Sequence, residues 1–116
     1  MLGAMLEKLM TEGVHMFDDD GKISAIAEIV AKAGHEEEVR VILHELVGPS
    51  RAEPGCEVYH LLEDKNKPGS FSTYEEWANI GSLQAHLESA GTKAALDKAK
   101  PMLDGDMKLT VFRKLV

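Results

Sequence analysis

The sequence predicts an α+β fold of ferredoxin-like topology, βαββαβ, with a four-stranded antiparallel sheet and an added amino-terminal helix. Three observations predict it. The apolar residues switch between a period of two and a period of 3.6 in the order strand, helix, strand, strand, helix, strand. The connection DKNKPG at 64–69 is short and dense in turn residues, so the strands beside it pair as a hairpin. The chain has 116 residues, enough for one domain and too few for two.

The elements follow in order. Leu2, Met5, Leu6, Leu9 and Met10 form one stripe of a helix over 2–12, and Gly13 stops it. Asp18, Asp19, Asp20 and Gly21 read as a solvated turn. Residues 1–21 are thus an amino-terminal extension, and 22–116 form the main domain. Residues 22–32, with Ile23, Ile26, Ile29 and Val30, predict a strand buried on both faces. Val39, Ile42, Leu43, Leu46 and Val47 predict a helix over 35–47. Glu36, Glu37 and Glu38 suit its positive end, and Gly48 and Pro49 terminate it. SRAEPG at 50–55 is a turn. CEVYHLLE at 56–63 and SFSTYEEWA at 70–78 are the hairpin strands. Ile80, Leu83 and Leu87 mark a helix over 80–90. A second helix over 92–103 follows, with the break at Ala90-Gly91. DMKLTVFRKL at 106–115 is the last strand.

In this topology both main helices lie on one sheet face. The strands carry apolar residues on both sides, so the other face needs a cover. A second copy of the chain supplies one, which predicts a homodimer. Deletion of residues 1–16 is expected to alter assembly more than the pocket, and whether the amino-terminal helix joins dimers into a higher oligomer is left open by the sequence.

Composition narrows the function. Thirteen Lys and Arg against 20 Asp and Glu give a net charge of −7. No segregated basic patch stands out, so no nucleic-acid partner is expected. No apolar run reaches the ~18–20 residues of a membrane span. The amino terminus lacks the basic opening and cleavage site of a secretion signal, and the single cysteine makes no internal disulfide. A cytoplasmic protein is expected. The histidines show no zinc-ligand spacing, so no metal is expected. Nucleotide-binding loops and a Ser-His-Asp pattern are absent as well.

Several residues could carry chemistry. Thr73, Glu75 and Trp77 alternate onto one face of their strand, and the short connection puts Tyr59 nearly opposite Glu75. Trp77 offers a flat wall and one N–H donor, or is simply the largest core residue. His86 sits at the margin of its helix's apolar stripe. It is either a base or a boundary histidine bonded to backbone or to Glu75. Glu75 is either a buried general base or a structural acceptor that fixes Tyr59, Trp77 or His86. Cys56, His44, His60, His15 and His35 read as ordinary positions.

Glu53-Pro54-Gly55-Cys56 with Tyr59, Tyr74-Glu75-x-Trp77, and Ala85-His86-Leu87 together resemble the antibiotic biosynthesis monooxygenase family, over residues 22–115. The resemblance implies a quinol-monooxygenase-like dimeric α/β barrel with a pocket between each subunit's sheet and its helices. It implies oxidation of a small electron-rich aromatic (a quinol, phenol or anthrone) by dioxygen, with no cofactor. His86 and Glu75 then stand as the catalytic pair, with Trp77, Tyr59 and Thr73 binding substrate. A non-catalytic small-molecule-binding or sensing barrel is the alternative. Haem handling is the third reading. It is weakened because Ala95 stands where the haem-degrading branch has its ligating histidine, and alanine cannot bind iron. The run Ser89-Ala90-Gly91-Thr92 departs from the family's common Ser-Pro-His-Phe-like continuation, which alters the far wall of the pocket.

Overall fold

The computed structural model describes residues 21–116. The expected helix over 2–12 and the Asp18–Asp20 turn lie outside the described residues. The elements are β1 Ile23–Val30, α1 Glu36–Glu45, α2 Val47–Arg51, β2 Cys56–Glu63, β3 Ser70–Trp77, α3 Ile80–Glu88, α4 Ala90–Ala99 and β4 Lys108–Arg113. The strands form one four-stranded sheet in the order β2-β3-β1-β4, and each neighbouring pair is antiparallel. This is the ferredoxin-like arrangement that the alternation of periods predicts.

The inner sheet face is the one that the helices cover. Along β3, Phe71, Thr73, Glu75 and Trp77 are buried, and along β1 Ile23, Ala25, Ala27 and Ile29 are buried. Alternate residues of a strand share a face, so one register fixes both sets. The register sets Tyr59 against Glu75 and Ala25 against Glu75, which brings three strands into one row.

Within the chain β1 is buried on the helix-facing side, while on the outer side Ser24 and Ile26 are half-buried and Glu28 and Val30 are exposed, the face for which a cover is expected. Three local expectations need correction. The helix expected over 35–47 ends at Glu45, and Gly48 and Pro49 lie inside the short α2 rather than stopping a helix. Proline fits there because first-turn N–H groups have no intrahelical acceptor to lose. The break between α3 and α4 falls at Ser89, not at Ala90-Gly91. The Ser89 side chain accepts from the Thr92 backbone N–H at 3.3 Å, a cap that the expected break overlooked. Last, the helix expected to reach 103 ends at Ala99. A 3₁₀ turn over Lys100–Met102 follows, with Pro101 in it.

The buried apolar residues fall into two clusters. One gathers Ile29, Val39, Ile42, Leu43, Phe71, Leu96, Ala99, Leu103 and Met107, with Ala27 and Ala31. The other gathers Ile23, Ala25, Tyr59, Trp77, Ile80, Leu83 and Leu87. Leu109 is half-buried against both. Small domains usually have one contiguous core. Here a seam separates two, and the seam is where the site lies.

One surface cluster ties α1 to the hairpin. Arg40 donates to Glu63 through Nε at 2.9 Å and Nη2 at 2.6 Å, and pairs with Glu37 within its own helix. Glu63 also accepts from the Gly69 backbone N–H at 2.8 Å. The Arg40 guanidinium, with the Gly69 N–H, pulls the Glu63 carboxyl from its ordinary 4.5 down to about 2. A carboxyl lowered by folding contributes stability that is complete above about pH 4.5 and is lost as pH falls toward 2. Glu63→Gln is therefore expected to flatten the acid limb of the stability curve in that window. Urea unfolding at pH 3 and pH 6 measures it, and an unchanged difference between those pH values counts against the pair.

Candidate functional site

The seam between the two clusters holds a cavity of about 30 Å³. That is room for one or two water molecules. Its walls are aliphatic on the side of the larger cluster, from Ile29, Leu43, Leu96 and Met107, and Tyr59, Thr73, Glu75 and His86 complete the lining, meeting the cavity mostly with carbon. Four of the five residues that the sequence singles out for the site line this cavity. Trp77 is the fifth. It is fully buried, stands behind His86, and does not belong to the lining.

Strand alternation places the polar side chains around the cavity. Glu75 is 3% exposed and lies between its same-face neighbours on β3. Its Oε2 accepts from the Thr73 hydroxyl at 2.6 Å, and its Oε1 accepts from the Trp77 indole N–H at 2.9 Å. Thr73 Oγ1 in turn accepts from the Ala27 backbone N–H at 3.2 Å. A buried carboxylate requires such donors, because leaving it unpaired costs far more than the bonds return. Both oxygens of Glu75 are thus engaged within β3, which fixes the Thr73 hydroxyl and the Trp77 indole.

Tyr59 faces the same cavity from β2. Burial, then the nearby Glu75 carboxylate, push its phenol above the ordinary tyrosine range, while a hydrogen bond with the buried Ser50 acts in the opposite direction. Tyr59 therefore remains a neutral phenol, able to donate, through neutral pH. Burial also pushes the half-buried Cys56 thiol up, helped by the Glu75 and Glu53 carboxylates. A thiol in that setting is a poor nucleophile.

His86 is interior rather than marginal, at 3% exposure. Its ring stands between two aromatic rings: Trp77 at 4.9 Å between centroids, tilted by 34°, and Tyr59 at 5.7 Å, edge-on at 64°. Its Nδ1 lies 2.5 Å from Glu53 Oε1. The partner is neither backbone nor Glu75. Glu53 belongs to the turn between α2 and β2, and 33 positions separate it from His86 in the chain. It is the site residue that sequence reasoning missed. Glu53 stands in the Glu53-Pro54-Gly55-Cys56 motif, but its role follows from a demand rather than from the motif: a buried histidine needs a partner, and Pro54-Gly55 makes a turn that can bring one.

The geometry is therefore a small, largely apolar cavity. Around it stand an imidazole tied to a carboxylate, a neutral phenol, and a hydroxyl held by a second carboxylate. Such a site can hold a small apolar molecule with one polar end and move a proton at that end.

Comparison with known proteins agrees with the fold. The model of the antibiotic biosynthesis monooxygenase family matches residues 22–98. The chain belongs to the antibiotic biosynthesis monooxygenase family. Among solved structures, a Pseudomonas aeruginosa protein is similar at 28% identity and a TM-score of 0.77, covering 86% of this chain and all (100%) of its own. A Deinococcus radiodurans protein is similar at 29% identity and a TM-score of 0.76, covering 81% of this chain and 93% of its own. A curated relative, an uncharacterized protein of Synechocystis sp., is 27% identical over 94 residues, which is 81% of this chain. The chain spans 64% of that relative's length. Membership of the monooxygenase family sets the class of protein, and the substrate has to be argued from the site. Among the described residues no helix is long and apolar enough to cross a membrane.

Proposed function

We propose that this member of the antibiotic biosynthesis monooxygenase family oxidises a small electron-rich aromatic, a quinol or phenol, with dioxygen. The observation that carries the reading is the shared lining of one cavity by His86, Tyr59, Thr73 and Glu75, beside aliphatic walls. His86 is the base that takes the acidic O–H proton, through Nε2, the nitrogen that the Glu53 contact does not use. Tyr59 donates to the resulting oxyanion. Glu75 acts by holding the Thr73 hydroxyl and the Trp77 indole in place, and Trp77 acts by backing the His86 ring.

The oxidation balances without another reductant. The anion gives one electron to dioxygen, and the substrate radical and superoxide join at a ring carbon as a peroxide. Loss of that carbon's hydrogen as a proton breaks the O–O bond. One oxygen remains as a carbonyl, and the other leaves as water. The net change is a ring C–H and the acidic O–H plus O₂ becoming two carbonyls and H₂O. The largely apolar wall limits side reactions of the anion with water.

A six-membered ring is larger than a 30 Å³ cavity, so binding must spread its walls. Met107 is an adaptable wall residue, since an unbranched thioether repacks easily. Oxygen uptake with a panel of quinols and phenols in metal-free buffer tests the reading. Uptake with at least one of them is expected. Tight binding without uptake supports the non-catalytic barrel instead, and a Soret shift with added haem supports haem handling.

The reading includes a homodimer through the outer sheet face. Val30, Leu62 and Phe112 are 42%, 52% and 45% exposed there, and the register puts Ile26, Tyr74 and His60 in one row between them. Polar groups interleave with these residues: Glu28 lies 3.8 Å from Lys108, and Glu76 takes hydrogen bonds from Tyr74 at 2.7 Å and Lys114 at 3.0 Å. Exposed apolar side chains on one face favour association. Sedimentation at micromolar concentration is expected to give a dimer, and the double variant Leu62→Lys, Phe112→Lys a monomer. A monomeric natural chain contradicts the dimer.

A further inference from the structure

The turn that carries Glu53 is docked on the helix that carries His86, and the docking is specific. Gly55 has φ +84°, a conformation that L side chains rarely adopt, and a Cβ there would collide with the Ser82 hydroxyl in the first turn of α3. The Gly55 carbonyl accepts from the Ala78 backbone N–H at 2.8 Å, just ahead of that helix. Ser82 is itself held by Asn79, whose Oδ1 accepts from the Ser82 N–H at 2.9 Å and from its hydroxyl at 3.0 Å. The turn closes on itself as well: the Glu53 N–H donates to the Ser50 carbonyl, and the Cys56 N–H to the Glu53 carbonyl, each at 3.1 Å. The Glu53 backbone is therefore fixed relative to α3, and His86 lies four residues beyond Ser82 on the same helix face.

The His86 ring has little freedom of its own between Trp77 and Tyr59. Its side chain is 4% exposed, whereas that of Glu53 is 23% exposed. A carboxylate with one side still in water can face an imidazole without the penalty of a fully buried charge. A carboxylate only accepts, so the neutral ring must present N–H at Nδ1.

We propose that Glu53 is a positioning residue that holds His86 as its Nδ1–H tautomer, leaving the Nε2 lone pair for a ligand in the seam cavity. The role deepens the oxidation reading and rests on it for its use, but not for its existence. Carboxylates that orient metal-bound imidazoles are worth ~10–100-fold, and at least that much is expected here. Gly55 serves the same end by allowing the turn to approach α3 closely.

The test uses the full chain with ¹⁵N-labelled histidine, and long-range ¹H–¹⁵N correlations at a pH where the ring is neutral. The natural chain is expected to show His86 as the Nδ1–H tautomer alone. Glu53→Gln, whose amide can either accept from or donate to Nδ1, should allow both tautomers. Glu53→Leu and Gly55→Ala should lose it to a mixture or to the Nε2–H form. An Nε2–H tautomer in the natural chain overturns the proposal, and so does an unchanged tautomer in Glu53→Leu. The natural chain's own spectrum decides even where a variant fails to fold. With a substrate that the natural chain oxidises, Glu53→Leu should lower kcat ~10–100-fold with KM little changed, and Glu53→Gln should also lower kcat, in step with its share of the Nε2–H tautomer. Equal kcat in Glu53→Leu and the natural chain also overturns it. Absence of any oxygen uptake by the natural chain removes the oxidation reading, while the tautomer still decides the part played by Glu53.

Discussion

Trp77→Ala is expected to lower stability by about 3–5 kcal/mol, the range for deleting a large buried aromatic. Trp77 is fully buried at the end of β3 and anchors the smaller of the two clusters. Its indole N–H also supplies one of the two side-chain donors to the Glu75 carboxylate. The alanine variant therefore opens a void and leaves a buried oxygen short of a partner. Trp77→Phe separates the two effects. It retains most of the packing and removes the donor, for an expected loss of about 1–3 kcal/mol. Urea unfolding followed by circular dichroism measures both, since Trp77 is the one tryptophan and its fluorescence goes with it. A loss below about 1 kcal/mol in Trp77→Ala would mean that the cluster is not packed as described.

His86→Ala is expected to reduce oxygen consumption by about 10²–10⁴-fold, the usual contribution of a positioned general base. KM should change little, because aliphatic side chains form the larger part of the cavity wall. The fold should survive. The Glu53 carboxylate keeps access to water on one side, so losing the imidazole does not strand a buried charge. Steady-state oxygen uptake with circular dichroism as a control checks this. A folded variant with unchanged kcat removes His86 as the base. Glu75 is the weaker candidate for that role, since both of its oxygens already accept hydrogen bonds within β3.

The topology was legible because it rests on period and spacing. The alternation of Phe71, Thr73, Glu75 and Trp77 defines a face with no tertiary information, and a short connection leaves Tyr59 few places other than opposite Glu75. Which face meets the helices is a global property, and alternation alone does not carry it. For the same reason the sequence does not tell which side of β1 the helices cover. Ile26 and Val30 are as apolar as Ile23 and Ile29, and only the layer above them distinguishes the two pairs.

Element ends were less legible, because capping competes with periodicity there. Apolar spacing runs on through Leu46 and Val47, while the chain starts a new helix at Val47. Ser89 ends α3 and caps α4 in a stretch where the apolar residues give no warning. The site was partly legible. Tyr59, Thr73, Glu75 and His86 converge on the cavity, and the alternation that put Thr73 and Glu75 on one face is the reason. Glu53 was not legible as a partner of His86, because a contact between a turn and a helix 33 positions away leaves no local pattern. The seam itself is invisible in sequence, since it is a failure of two apolar clusters to merge.

Product analysis under ¹⁸O₂ tests the seam most directly, comparing the natural chain with the seam-filled variant Leu96→Phe. The natural chain should convert a quinol to a product carrying one ¹⁸O atom, and the filled variant should remain folded and make none. Product without ¹⁸O from the natural chain, or labelled product at equal rates from both, would contradict the account.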